Sequence, residues 1–356
     1  MLALIALIAS AQPAPADYPG IWEGTVGNLP IRACFVRRDW GSFGAYYYLS
    51  QKRLIPLEAM AGSVSAFSEG AGDPGSPRWQ IQSADGNRLQ GGWTSGRRTL
   101  PVQLARVAAS GGEEEGPCSD MVLHQPRLEG IRTVTRPATA DGVAYTRIAL
   151  DHGGRFDARV ETFALDGPGE ATRRVNASLG RMLAGSPPEW FDCLRMALES
   201  SPHEGGLNET LEPVMISRRW LSVNHQYDSF CGGAHPSSGL VYETYDLASG
   251  ARVDLHDWFI PEAVRRERLE GLDDEAKTFL PALRSVILAG WTDEADCGEV
   301  VRDAEFWHIG LRRDAFVFSP SLPHVVQACG EEFAVPFARV RQLLTPEGAA
   351  NLDALR

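Results

Sequence analysis

The chain has 356 residues, six cysteines and a formal net charge of −12. Residues 1–118 hold 10 basic and 10 acidic side chains, so the whole acidic excess lies beyond them. Such a surface excludes nucleic acid as a partner and attracts basic proteins, although solubility alone also explains it.

Met1 to Ala11 form an apolar stretch centred on Leu2 to Ile8, closed by Ala9-Ser10-Ala11 and followed by Pro13 and Pro15. This is the shape of a short secretory signal over residues 1–11. It lacks the Lys or Arg of an ordinary leader, which fits a true start upstream of Met1. No later segment offers the roughly 20 apolar residues that a membrane-spanning helix needs. No cysteine follows the cleavage site, which argues against lipid attachment there. The expected mature chain is soluble, without a membrane span, and periplasmic or secreted.

From residue 17 to 107 short strand-like runs alternate with turn residues. They are Gly20 to Gly27, Pro30 to Val36, Phe43 to Leu49, Arg53 to Glu58, Val64 to Ser68, Trp79 to Ser83, Leu89 to Trp93 and Leu100 to Val107. Asp85-Gly86-Asn87 supplies a hairpin turn. Eight short strands at about ten-residue spacing predict an all-β domain, a small antiparallel barrel or sandwich. Trp22, Trp79 and Trp93 read as core. In Tyr46-Tyr47-Tyr48 alternate rings leave opposite faces of a strand, so either one ring is exposed for binding or the run reflects β-propensity over a core. Residues 108–117, small and acidic, read as a linker.

Residues 118–350 mix periods and predict an α+β domain. Val143 to Leu150 and Arg155 to Leu165 read as strands. Gly169 to Ala184 has helical spacing at Val175, Leu179 and Met182, and Pro187-Pro188-Glu189 opens a second helix. Further strands are expected at Glu212 to Ser217, Trp220 to Phe230, Leu240 to Leu247 and Arg252 to Leu255. Helices at Pro261 to Glu270 and Asp274 to Leu288 follow, then a hairpin around Arg312-Arg313-Asp314 and a closing strand and helix from Glu332 to Leu344.

Cys34, Cys118, Cys193, Cys231, Cys297 and Cys329 contain no CxxC pair of the kind zinc and redox sites use. In an oxidising compartment an even, dispersed set reads as three disulfides, with free buried thiols as the alternative. Pairing Cys34 with Cys118, Cys193 with Cys231 and Cys297 with Cys329 keeps each bond within one segment, although sequence does not choose among the possible pairings.

Tyr227-Asp228-Ser229-Phe230-Cys231-Gly232-Gly233-Ala234-His235-Pro236, with Tyr245 to Gly250, Val253 to Phe259, Phe306 to Leu311, Ala315 to Phe318 and Val335-Pro336-Phe337, resembles a known family. It is the extracellular domain of unknown function present in the lysozyme-sensing anti-sigma factor of Gram-positive bacteria and in the non-catalytic part of a peptidoglycan deacetylase. The resemblance covers about residues 120–345. This chain carries neither an anti-sigma segment nor a deacetylase domain, so the resemblance implies a module that binds lysozyme or the envelope, with no catalytic residue carried over.

The Gly232-Gly233-Ala234-His235-Pro236 turn combines glycines that permit positive φ with an imidazole that can donate and accept. With Tyr227 and Asp228 it forms the expected ligand-binding surface: Tyr227, Asp228, Gly232, Gly233 and His235. A tight turn whose histidine satisfies neighbouring backbone is the bland reading. His225, His235, Asp228 and Asp246 could supply metal ligands, but strand alternation sends His225 and Tyr227 away from Asp228, so no metal and no cofactor is expected. GxSxG, the phosphate-loop motif and HExxH are absent, and no GxGxxG lies between an expected strand and helix. Three readings remain: a non-catalytic exported protein that binds a basic protein such as lysozyme or a cell-wall glycan, an envelope hydrolase with an unrecognised carboxylate or histidine site, and a structural envelope component.

Overall fold

The computed structural model describes residues 17–70, 72–110, 116–184, 188–268, 275–292 and 297–355. The expected signal lies outside them, as do residues 111–115 of the linker.

Eight antiparallel strands close into a barrel: β1 Gly20–Val26, β2 Leu29–Arg38, β3 Gly41–Tyr48, β4 Ile55–Ala59, β5 Ala66–Glu69, β6 Arg78–Ala84, β7 Arg88–Ser95 and β8 Arg98–Val107. The expected all-β domain is therefore a barrel, and β1 pairing with β8 closes it. Alternation sends Trp22, Phe35, Tyr46, Leu57, Phe67 and Trp79 inward to one core. The tight coil needs inward-facing positions without side chains. A Cβ on Gly24 would lie 2.1 Å from the carbonyl oxygen of Gln103, and one on Gly91 would lie 2.3 Å from that of Gln80.

The outer face of β1 to β3 is not left to solvent. Ile21, Cys34, Val36, Phe43 and Tyr47 pack with Cys118, Leu123 and Leu198 from the C-terminal part. Tyr46 and Tyr47 are thus both buried, on opposite faces of β3, and the tyrosine run serves two cores. The Tyr47 hydroxyl donates to the carbonyl of Leu123 at 2.6 Å. Trp22 and Trp79 are buried as expected, whereas Trp93 is half-buried.

The C-terminal part is mixed α and β. Helix α1 (Met121–Leu128) is followed by β9 Arg132–Ala140, β10 Val143–Asp151, β11 Ala158–Leu165, helices α2 (Glu170–Leu179) and α3 (Glu189–Met196), then β12 Gly206–Ile216, β13 Trp220–Phe230, β14 Ser237–Asp246 and β15 Ala251–Val253. The seven strands form one sheet in the order β15-β14-β13-β12-β11-β10-β9. β11 and β12 run parallel, which requires a crossover, and α2 and α3 supply it. Val175, Leu179, Trp190, Phe191 and Leu194 from these helices join Leu211, Leu221, Val223 and Tyr245 of the sheet in a second core.

A further core gathers β16 Val264–Arg268 and β17 Glu275–Phe279, α4 Pro281–Ile287, α5 Gly298–Asp303, the three-stranded sheet β18 Trp307–Leu311, β19 Ala315–Pro320 and β20 Phe333–Pro336, and helices α6 Phe337–Val340 and α7 Pro346–Asp353. The helices expected at Pro261 to Glu270 and Asp274 to Leu288 are corrected here: β16 and β17 are antiparallel partners, and among the described residues of this stretch only α4 is helical. Arg and Glu favour helix weakly, and tertiary contacts override them. Arg266 bonds Asp257, and Lys277 bonds Asp254.

Three disulfides join Cys34 to Cys118, Cys193 to Cys231 and Cys297 to Cys329, the pairing expected from the sequence, and the first of them links the barrel to the C-terminal part. No described helix is long and apolar enough to cross a membrane.

Candidate functional site

β13 and β14 are long strands, and the three-stranded sheet packs on one end of their face. At that end β18 lies against them. The Leu311 amide donates to the buried Ser222 hydroxyl at 3.0 Å, and the Tyr242 ring lies across Gly310, where a Cβ would sit 2.4 Å from Cδ1. Beyond this contact the two layers part. They leave a cleft of about 560 Å³.

Asn224, Gln226 and Asp228 line one wall of the cleft, and His308, Gln327, Glu331 and Glu332 line the other. Strand period explains the first set, since residues of even separation share a face. The opposite wall is positioned by β18, by β20 and by the 3-10 turn His324–Cys329, which the Cys297–Cys329 bond ties to α5.

The glutamates are held by donors. Arg312 Nη2 donates to Glu332 Oε2 at 2.9 Å, and the Tyr242 hydroxyl donates to Glu332 Oε1. Burial, then the hydrogen bond and charge of Glu332, raise the Tyr242 pKa and keep it a donor. Trp291 Nε1 donates to Glu331 Oε2 at 2.7 Å. Asp228 has no side-chain partner among the described residues and is exposed.

His308 links the cleft to a recess of about 390 Å³ bordered by Asp254, His256, Glu275, Lys277 and Trp307. Burial, then the charge of His256, hold its imidazole below the usual range, so it is neutral at pH 7. Asp254 organises the recess by accepting from the His256 amide at 2.9 Å, from its Nδ1 at 2.6 Å and from Lys277 Nζ at 2.6 Å. Burial opposes ionisation of Asp254. The bonds and charges of His256 and Lys277 outweigh it and hold the carboxyl well below the carboxylate range.

The residues singled out from the sequence are divided between this cleft and its edge. Tyr227 and Asp228 border the cleft. The Tyr227 ring lies 6.1 Å from that of His225 and across Gly239, so it shares a strand face with His225 and not with Asp228. Gly232, at φ +95°, packs its Cα against α3, where a Cβ would lie 3.0 Å from Ala197 Cα. Gly233, at φ +88°, faces open space. His235 is exposed, its ring 5.2 Å from that of His324, and His324 Nε2 donates to the carbonyl of Pro236. The turn therefore contacts the same 3-10 element that supplies Gln327 to the cleft.

His225 pairs with Glu209 at 2.8 Å. Among the described residues no group of three or more His, Cys, Asp or Glu could hold a metal ion. Asn224 and Gln226 were readable by alternation from Asp228. His308, Glu331 and Glu332 approach only through the tertiary fold.

No protein-family model matches the chain, and no curated protein matches it significantly. Solved structures similar to it include a DUF3298 family protein from Pseudomonas aeruginosa PAO1, at 14% identity and TM-score 0.35, over 62% of this chain and 97% of that one. A member of the same family from Bacteroides fragilis is similar at 11% identity and TM-score 0.39, over 64% of this chain and 96% of that one.

Proposed function

We propose that this chain is an exported, non-catalytic binding protein of the cell envelope whose C-terminal part takes its ligand in the cleft between β13–β14 and β18–β19. Three disulfides fit an oxidising compartment. The observation that carries the reading is the lining of the cleft, where Asp228, Glu331 and Glu332 face a space large enough for side chains of a partner. These carboxylates lie within the acidic part of the chain, and cationic side chains of a basic protein such as lysozyme complement them.

The test is calorimetric titration of the purified protein with a basic lysozyme at low and moderate salt. Expected is binding that weakens with salt and falls about tenfold in Asp228→Asn, one such contact being worth about 1.4 kcal/mol. His235→Ala and Gly233→Trp probe the adjoining turn separately. Unchanged affinity in those two confines the ligand to the cleft, and absence of any heat removes lysozyme as the partner.

Three amides beside the carboxylates, Asn224, Gln226 and Gln327, favour a second reading. Amides and carboxylates together donate to and accept from sugar hydroxyls, so the ligand is then a cell-wall glycan. Titration with oligomers of N-acetylglucosamine separates the two, because binding of a neutral glycan is insensitive to salt.

A further inference from the structure

One end of the barrel carries the turns β1–β2, β3–β4, β5–β6 and β7–β8. Its deepest inward residues there, Ile31, Tyr46, Leu57, Trp79 and Val102, are buried. One layer further out, the inward residues Tyr48, Ile55, Glu69, Trp93 and Leu100 are only half-buried. The end is therefore a shallow cup with a packed floor.

Glu69, the last residue of β5, is the single carboxylate among these inward residues. Its Oε1 accepts three hydrogen bonds, from the Tyr46 hydroxyl at 2.6 Å, Trp93 Nε1 at 2.6 Å and Trp79 Nε1 at 3.2 Å. All three donors are neutral. Among the described residues Oε2 has no hydrogen-bond partner and Glu69 forms no salt bridge. No cationic side chain of the described residues meets this carboxylate in its aromatic and aliphatic setting. Two indoles and the Tyr46 phenol thus border it, the Tyr46 ring lies 4.8 Å from Trp79, and Tyr48 packs edge to face on Tyr46 at 5.5 Å. Aromatic rings beside an unpaired carboxylate are the chemistry that recognises an organic ammonium group.

We propose that this end of the barrel binds a small organic cation, its ammonium group held at Glu69 Oε2 among Tyr46, Tyr48, Trp79 and Trp93. The three bonds at Oε1 orient the carboxylate in advance, so binding needs no rearrangement of the floor. The site is separate from the cleft and does not depend on how the cleft is used. A structural role for Glu69, as the common acceptor for three buried donors, predicts something different. Glutamine keeps an oxygen for those donors and loses the charge.

The experiment is an NMR titration of the full chain, labelled at the tryptophan indole nitrogens, with tetramethylammonium or butylammonium chloride. Neutral isosteres, tert-butanol and butanol, and sodium chloride serve as controls. The expected result is saturable movement of the Trp79 and Trp93 indole signals with the ammonium salts alone. E69Q is expected to bind at least about tenfold more weakly at an unchanged melting temperature. Signals unmoved at about 50 mM ammonium, too weak for a specific complex, overturn the proposal. So does equal movement with the neutral isosteres, or an affinity that E69Q leaves intact. Where E69Q does not fold, the isostere comparison on the unaltered chain decides, with Trp93→Ala, at a half-exposed position, expected to weaken ammonium binding.

Discussion

Arg127 donates from Nη1 to Nδ1 of His124 across 3.0 Å, and that contact fixes the charge of the imidazole. A nitrogen that accepts from a guanidinium carries no proton of its own. The other nitrogen, Nε2, lies 2.8 Å from the carbonyl oxygen of Cys118 and donates to it, so His124 is the neutral Nε2–H tautomer. Burial first, and the charge of Arg127 second, push its pKa well below the usual value.

Stability should therefore depend on pH through His124. The folded-state pKa lies below the unfolded value near 6.5, so the neutral ring contributes fully above about pH 6.5, and that contribution is lost as the pH falls below it. Unfolding free energies from denaturant titrations between pH 7.5 and 5 should fall by up to about 1.4 kcal/mol per pH unit from this group. In His124→Gln, which can keep both hydrogen bonds, the slope over the same range should flatten. An unaltered slope in that variant would assign the pH dependence to other groups.

Arg127 also joins the barrel to the C-terminal part. Its guanidinium is fully buried, bonds Glu204 at 2.7 and 2.9 Å, donates to the carbonyl of Lys52 at 3.0 Å and lies 4.5 Å from the Phe156 ring centroid. Removing one member of a buried pair leaves the other charged and unpaired, so Arg127→Ala should cost about 3–5 kcal/mol in equilibrium unfolding. Glu204→Gln should show a comparable loss, and the double variant should lose less than the sum. Strict additivity would mean that the two side chains do not stabilise one another.

The barrel was legible in the sequence because each of its strands is short, alternates, and ends at turn residues. The α2–α3 crossover was legible from helical spacing at Val175 and Leu179. α1 escaped notice because Pro126 lies inside it and its apolar face is narrow, although Asp120 caps it by accepting from the Val122 amide at 2.7 Å. β9 escaped although Asp141-Gly142, both at positive φ, is a hairpin signal. At β16 and β17 the local composition favours helix, and only packing of Val264 and Phe279 on the neighbouring core makes strands of them. The cleft was half-legible for a related reason. Alternation around Asp228 gives one wall, while the opposing glutamates are about 100 residues away in sequence.

The Cys34–Cys118 bond closes a loop of 84 residues from β2 to the start of the C-terminal part. Cys118 is buried beside Leu123 and Leu198, so the bond fastens the barrel wall to the elements that cover it. In the loop-entropy account a closure of this length is worth about 4–5 kcal/mol, and engineered removals run from about 2 to 5. Cys34→Ala with Cys118→Ala should lower stability within that range in chemical denaturation. Replacing Cys297 and Cys329, separated by 32 residues, should cost less by the same account. The reverse order would show that native contacts at the two sites, and not loop length, set the values.

At Gly310 the two layers of the C-terminal part approach closely, with the Tyr242 ring across the glycine at one wall of the cleft. An added Cβ would meet Tyr242 at 2.4 Å from Cδ1 and 2.6 Å from Cγ, so the ring must move. That movement pulls the Tyr242 hydroxyl from Glu332, the carboxylate it helps to hold in the cleft. Overpacking of this kind costs about 1–3 kcal/mol, whereas Tyr242→Phe, which loses the hydroxyl alone, should cost about 0.5–1.5 kcal/mol. In a Tyr242→Leu background the smaller side chain leaves room for the methyl group, and Gly310→Ala should then cost little. Denaturation of the two single variants and the double variant measures that coupling, and equal costs of Gly310→Ala in both backgrounds would place the close approach elsewhere.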